Sequence, residues 1–268
     1  MASVARIYAR GFHRDFKVYY THWLPNSELE LGVVGVLEGG YLFRPKSTLR
    51  DLGIQFDPKA DIVPDNSPSP IDFTSKSGVT ITTKLAGEVN AQMPSIPQGS
   101  AGIKLDFASE ASFLIKARES YEPRIRDVIR LEREILKLYK AGVWDRNWCV
   151  IYSLLKAPYA DLVVSETGSS SIELQVTGDA QVQQVQLGDV NLQFAMKRTS
   201  GKVLDMRESK NVTPAFQLVG LKKRLFGSVK PGVLKGAWLD AEDAGGAAAE
   251  GMPPMYLDVL TGRNPLSE

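Results

Sequence analysis

Two stretches of this chain alternate apolar and polar residues for longer than an ordinary strand requires. The first, GVTITTKLAGEVNAQM at 78–93, places Val79, Ile81, Leu85 and Val89 at odd positions, with Lys84 and Glu88 at even ones. The second, GIKLDFASEASFLIKA at 102–117, repeats the phase with Ile103, Leu105, Phe107, Phe113 and Ile115. Lys104, Asp106, Glu110 and Lys116 sit between them, and Leu114 is the one apolar residue out of phase. Side chains of a strand alternate between two faces, so each run presents one face free of charge from end to end. A third ribbon, VQQVQLGDVNLQFAMK at 182–197, does the same with Val185 and Leu187, then with Val190, Leu192, Phe194 and Met196 after a Gly188-Asp189 turn.

Such ribbons meet one oily and one wet environment. A sheet with one face on a core and one in water produces this pattern. Length points to a second solution. At roughly 3.3 Å per residue each of the first two runs would stretch about 50 Å, whereas a hydrocarbon core needs only ~9–11 tilted residues. A lone hairpin cannot sit in lipid, because its edges leave backbone groups unpaired. The candidate strands are 78–93, 102–117 and the two sides of 171–197, too few to close a barrel within one chain. Many subunits would close one, with Lys84, Glu88, Lys104, Asp106, Gln186 and Gln193 facing a water-filled lumen.

Composition bounds the other options. A net charge of +1 supplies no field to draw nucleic acid. Cys149 is the only cysteine, which excludes a disulfide framework and a cysteine-based metal cluster. His13 and His22 are the only histidines. Serine-hydrolase, zinc-protease, phosphate-loop and dinucleotide-binding motifs are absent. The expectation is a protein without enzymatic activity, cofactor or metal. No signal peptide and no apolar run of about 20 residues is present, so a cytoplasmic soluble state is the default.

The pattern as a whole predicts an α+β fold: a twisted, mainly antiparallel sheet with a central helix at about 123–141, peripheral short helices and a short C-terminal docking tail. In the central segment Pro123 suits a first helical position. Ile125, Val128, Ile129, Ile135, Leu136 and Tyr139 form an apolar stripe, Gly142 stops it, and Arg130 with Glu134 is an i,i+4 pair. Near the start, Val4, Ile7, Tyr8 and Phe12 share a helical face, with Arg6, Arg10 and Arg14 elsewhere. This is either a surface helix or strand with solvated arginines, or a basic amphipathic element for anionic lipid headgroups. Lys222, Lys223 and Arg224 form a second basic spot, either a solvated strand end or a lipid contact. Trp144 and Trp148 read as packing residues.

The chain divides into a body at 1–239, a linker at 240–251 and a tail at 252–268. The linker, DAEDAGGAAAEG, is small and acidic, the composition of a cleavable leash, with Gly245, Gly246 and Ala249 in the expected cleavage region. The tail holds Met252, Met255, Tyr256, Leu257 and Leu260, too apolar to stay exposed. It is either a plain docking segment or dimer arm, or a removable plug.

The segment YYTHWLPNSELELGVVGVL followed by TLRDLGI, with AGIKLDF before the helix and TPAFQLVGLKK near the end, resembles the layout of a bacterial gasdermin over most of the chain. Many members of that family carry an acylated cysteine close to the start; here the first cysteine is Cys149. The resemblance implies a latent pore-former in antiphage defence, resting in the cytoplasm. A caspase-like or other protease would remove the autoinhibitory tail. The freed body would then oligomerise with membrane lipids as a β-barrel pore in the inner membrane and kill the cell. In the resting state, 78–117 and 171–197 must then be shorter or folded over. The rival expectations are a soluble β-rich binding or assembly protein, and a β-sheet enzyme with an unrecognised carboxylate site.

Overall fold

Two unusually long antiparallel strands, Trp148–Ser165 (β9 in chain order) and Val203–Lys223 (β12), form the spine of the protein. The computed structural model describes residues 2–22, 29–76, 78–177, 185–189, 191–223 and 255–259. The remaining elements are α1 (Ala2–Asp15), β1 (Val33–Glu38), β2 (Leu42–Thr48), β3 (Ile62–Val63), β4 (Ser69–Thr74), β5 (Val79–Lys84), β6 (Gly102–Phe107), β7 (Phe113–Ser120), β8 (Arg124–Ile125), α2 (Val128–Lys140), β10 (Ser170–Thr177), β11 (Gln193–Ser200) and β13 (Met255–Val259). This is an α+β fold of antiparallel sheets and two helices, with no closed barrel among the described residues.

One edge of β9 is served in turn by β1, β8 and β7, and its other edge runs along β12. A separate four-stranded sheet has the order β5-β6-β10-β11. Its relation to the large sheet is topologically simple. The large sheet contains the order β4-β7-β9-β12, and β4 leads into β5, β6 into β7, β9 into β10 and β11 into β12. The small sheet is therefore a four-strand continuation of the large one, folded over along a line of four chain crossings.

Among the described residues each crossing contains one residue in the left-handed region: Gly78 (φ 96°), Ala111 (φ 57°), Ser169 (φ 57°) and Gly201 (φ 74°). Hydroxyl groups satisfy the backbone where the ladder breaks. Ser75 Oγ accepts the Phe113 amide at 3.2 Å, Thr167 Oγ1 accepts the Lys202 amide at 3.2 Å, and Ser109 and Ser112 share a 2.8 Å bond. Unpaired buried backbone groups are costly, which is why serine and threonine collect at this bend.

Three apolar clusters follow from the bend. Around the Ser165 end of β9, α1 lays Tyr8 and Phe12 over Phe113, Ile115 and Leu162 on one side of the large sheet. On the other side, Leu114 and Val163, which are direct cross-strand partners, pack against the small sheet. At the Trp148 end, α2 and β13 join Val150, Ile151, Leu218 and Leu221.

The sequence expectations meet this architecture unevenly. The run at 78–93 is a strand only through Lys84, and its remainder is loop. The run at 102–117 is two strands in different sheets, because Ala111 turns left-handed and its amide leaves the ladder for the Ser165 carbonyl at 2.8 Å. The third ribbon becomes a strand at Gln193. The central helix begins at Val128, since Pro123 precedes the short strand β8 and Asp127 is the N-cap, its carboxylate accepting the Arg130 amide. Arg130 pairs with Asp61 and Glu134 with Lys137, in place of the expected Arg130–Glu134 pair. Gly142, at φ 72°, follows the last helical turn as expected.

Candidate functional site

The small sheet brings most of the charge-free positions together. Ile81, Leu105 and Ile172 are consecutive cross-strand partners, and Leu174 and Val176 continue the same face. Ile103, Leu105 and Phe107 are fully buried, while Leu192 and Phe194 close the far side. Val79 and Leu85 are partly buried. Ile81, on the outermost strand, is 40% exposed and Val89, in the loop beyond it, is 81% exposed. Phe113 and Ile115 are not part of this face. They lie on β7 beneath α1, in the other sheet. Val190 lies outside the described residues. The opposite face carries Thr80, Thr82, Lys104 and Asp106, the last two paired at 2.9 Å.

The first hairpin connection folds back instead of extending its strands, and the described part of the second, 185–189, turns in toward the core. In the first, Met93 and Ile96 are buried, and Lys84 Nζ donates to the carbonyls of Pro97 and Ser100 at 2.6 and 2.9 Å. From β10, Glu173 accepts the Ser95 amide at 3.4 Å and Gln175 Nε2 donates to Ser100 Oγ at 2.9 Å. In the second, Val185 and Leu187 enter the apolar layer, and buried Asp161 accepts the Gly188 amide at 2.7 Å. Arg118 reaches Asp189 at 3.6 Å. These pinning groups had no signal in the alternation pattern, which ranks positions by hydrophobicity. Lys84 reads as water-facing in that pattern, and Glu173 and Asp161 are charged types that it does not mark as buried.

Arg6, Arg10 and Arg14 are exposed along α1. Arg6 stands 3.8 Å from Glu38, which Arg44 also approaches at 3.2 Å, and Arg14 holds Asp15 at 2.9 Å. Asp15 is nearly buried, so desolvation raises its pKa, but the Arg14 guanidinium and the Lys76 amide outweigh that and hold the carboxyl below the usual range. Lys222 is half-buried at the end of β12. The Lys223 side chain and Arg224 lie outside the described residues, as do Gly245, Gly246, Ala249, Met252 and Leu260.

The tail docks. β13 adds to the outer edge of β12, with Leu221 opposite Leu257 and Lys222 opposite Tyr256, and Met255 begins the strand. Leu257 is buried against the cluster around α2, and its amide meets the Glu132 carboxylate. This edge lies at the Trp148 end of the spine, since Val219 pairs with both Val259 and Val150. The small sheet joins the opposite end, beyond Ser165. The tail therefore leaves the charge-free face to be covered by Leu114 and Val163 of the large sheet.

A third polar centre ties the segment after α1 to the spine. Glu122 accepts from Tyr19 OH at 3.1 Å, Ser153 Oγ at 2.8 Å and Gln217 Nε2 at 3.0 Å. Among the described residues no group of three or more His, Cys, Asp or Glu side chains is placed to hold a metal ion, and no helix is long and apolar enough to cross a membrane. Cys149 is 1% exposed, and burial pushes its thiol up to about 12, so it is neither a thiolate nor accessible.

These features define a class by fold: an α+β protein built on a bent antiparallel sheet, with two adjacent hairpins and a strand-forming C-terminal tail. No protein-family model matches the chain, and no curated protein matches it. Among solved structures, the cryo-EM structure of the gasdermin A3 membrane pore aligns with a TM-score of 0.31 and 9% identity, covering 83% of this chain and 91% of that one. That likeness is too distant to assign a function.

Proposed function

We propose that this protein is a latent pore-former whose two hairpins lengthen into membrane strands once the C-terminal tail is removed. The observation that carries the reading is the register of the small sheet. Continuing the β5–β6 pairing past Lys84 and Gly102 sets Leu85 opposite Ala101, Gly87 opposite Gly99, Val89 opposite Pro97 and Ala91 opposite Ser95, all uncharged. Glu88 and Gln98 fall on the other face. Continuing β10–β11 past Thr177 and Gln193 adds Gly178, Ala180, Val182, Gly188, Val190 and Leu192 to the same apolar face. Asp179, Gln181, Asp189 and Asn191 take the wet face, where Leu187 also falls, while Gln186 at the hairpin tip falls on the other, the reverse of the phase expected for these two from the alternation. The lengthened first hairpin would reach roughly 40 Å, more than a bilayer core requires.

Closure also has support. Four strands alternate in direction, so β11 of one copy can pair antiparallel with β5 of the next, and the ring contains an even number of strands. β5 carries no charge before Lys84, so it lacks the usual protection of an edge strand. The arginines of α1 would meet anionic headgroups. In a cell, the intact chain would wait in the cytoplasm until a caspase-like or other protease cut the linker. The body would then oligomerise in the inner membrane, a suicidal defence against phage. No step calls for a catalytic residue or cofactor of the protein's own.

The test is dye release from anionic liposomes by the whole chain and by a chain ending at Gly246. Release by the shorter form alone is expected. Release by neither ends the proposal, and favours a soluble interaction protein, for which the full burial of Leu105 and Phe107 beneath the large sheet is the supporting observation.

A further inference from the structure

We propose that residues 93–100 form a strap, fastened across the water-facing side of the small sheet, that must come off before the first hairpin can lengthen. The inference rests on the pore-forming reading and adds to it a second restraint, separate from the tail.

Three side chains from two strands fasten the strap. Lys84, at the end of β5, is only 2% exposed, and its ammonium donates to the strap carbonyls of Pro97 and Ser100. Among the described residues no carboxylate pairs with it. Glu173, 3% exposed on β10, receives the Ser95 amide, and Gln175 donates to Ser100 Oγ. A buried charge held by neutral carbonyls has nowhere else to go without uncovering itself, so the ammonium and the strap hold each other in place.

Packing completes the seat. Met93 and Ile96 are 1% and 4% exposed. Ile96 lies over Gly102, where a Cβ would stand 2.3 Å from Ile96 Cδ1. The missing side chain at 102 is the space the strap occupies.

The fastened and lengthened states exclude each other. In the continued register Pro97 lies opposite Val89, which places its carbonyl roughly 16 Å along the strand from Lys84, far beyond the reach of a lysine side chain. The Lys84–Pro97 bond must therefore break before the hairpin extends. The tail cannot do this directly, because β13 sits on the far edge of β12 at the other end of the spine. Cutting the linker removes one restraint and leaves the strap closed, so permeabilisation begins after a delay set by strap release.

The experiment compares the chain ending at Gly246 with its Lys84→Met, Lys84→Arg and Glu173→Gln variants. Amide exchange at Gly87, Ile96 and Ser100 is measured without lipid, and dye-release half-times are measured on anionic liposomes. Lys84→Met is expected to speed strap exchange on the order of tenfold, the scale of a lost charged hydrogen bond, and to shorten the half-time in step. Lys84→Arg is expected to stay nearer the parent. Glu173→Gln gives a milder shift in the same direction and serves if Lys84→Met does not fold. The same substitutions in the whole chain should speed exchange without causing release. Unchanged exchange, or faster exchange with an unchanged half-time, overturns the strap while a leaking parent upholds the pore. A parent that does not leak removes the pore reading, and the strap's role with it.

Discussion

The amide of Leu257 donates to the Glu132 carboxylate at 3.2 Å, so the terminal strand is held by the central helix as well as by the edge of β12. Leu257→Ala removes the tail side chain that is buried among the described residues. It is expected to weaken tail docking by about 2 kcal/mol, the lower end for a leucine truncation, because the site is peripheral. Amide exchange over Met255–Val259 should rise while exchange in β9 stays unchanged. A rise in both would mean that the tail and the spine unfold together.

Acid should loosen the seat of α1. His13 stacks on Tyr20 with ring centroids 4.2 Å apart, and Nδ1 donates to the Tyr19 carbonyl at 2.9 Å. Nε2 is buried without a partner. Burial holds the His13 pKa below its ordinary 6.5, outweighing the Tyr19 bond. The unfolded chain therefore binds the proton first. The neutral ring's contribution is complete above about pH 6.5 and is lost as pH falls through the folded pKa. Asp15, also lowered, adds a second loss below its ordinary 3.8. His13→Phe should keep the stack and flatten the first decline in urea melts between pH 7 and 5. An unchanged slope would assign the decline to other groups.

The bend between the sheets should respond to its glycines. A Cβ at Gly78 would stand 2.7 Å from Ser112 Oγ, and one at Gly201 would stand 2.7 Å from Ser170 Cβ. Both residues have positive φ. Gly78→Ala and Gly201→Ala are each expected to cost about 1–3 kcal/mol of resting stability. In the chain ending at Gly246 they should also shorten the dye-release half-time, since the bent state alone bears the strain.

Ile81 and Leu105 face the same side of the small sheet, yet charge should affect them differently. Leu105→Asp buries an unpaired carboxylate at a position that is 0% exposed, and should prevent folding. Ile81→Asp, at 40% exposure, should change the melting temperature little. In the shortened chain it should still abolish dye release. A folded Ile81→Asp variant that permeabilises liposomes would remove β5 from the membrane.

Cys149 provides a simple check on the core. Its thiol donates to the Gly35 carbonyl at 3.4 Å and is raised to about 12 by burial. Maleimide labelling at neutral pH should be negligible in the folded protein and should track unfolding by urea. Rapid native labelling would contradict the packing of β9 against β1.

Much of the architecture was readable from local pattern. α2 followed from part of its apolar stripe, Val128, Ile135, Leu136 and Tyr139, although Ile129 is 40% exposed and Leu131, outside the stripe, is buried. The helical alternative at the start of the chain rested on Tyr8 and Phe12 sharing a face, buried at 1% and 0%. Residues 79–84 and 102–107 alternate as expected and pair with each other. What escaped depends on contacts far apart in the chain. The break at Ala111 is set by Ser165, and hydrophobic phase runs straight through it. Asp127 outranked Pro123 as the helix start because β8 recruited Arg124 and Ile125 into pairing with β3. The two hairpins were visible as ribbons. Their folded connections were not, because Lys84 and Asp161 are ordinary surface residue types until a strap or a loop covers them.

The route of the chain from Lys223 to Met255 has a kinetic consequence. These residues are ladder partners in space, joined through the whole of 224–254. While that connection is intact, β13 rebinds its slot at the millimolar effective concentration of a tethered segment. A single scission anywhere along it breaks no rung of the ladder, but the detached peptide then rebinds only at whatever concentration the surroundings supply. On the pore-forming reading the severed strand would leave only at the off-rate of its five backbone rungs, a lag that precedes strap release and that a chain ending at Gly246 never shows.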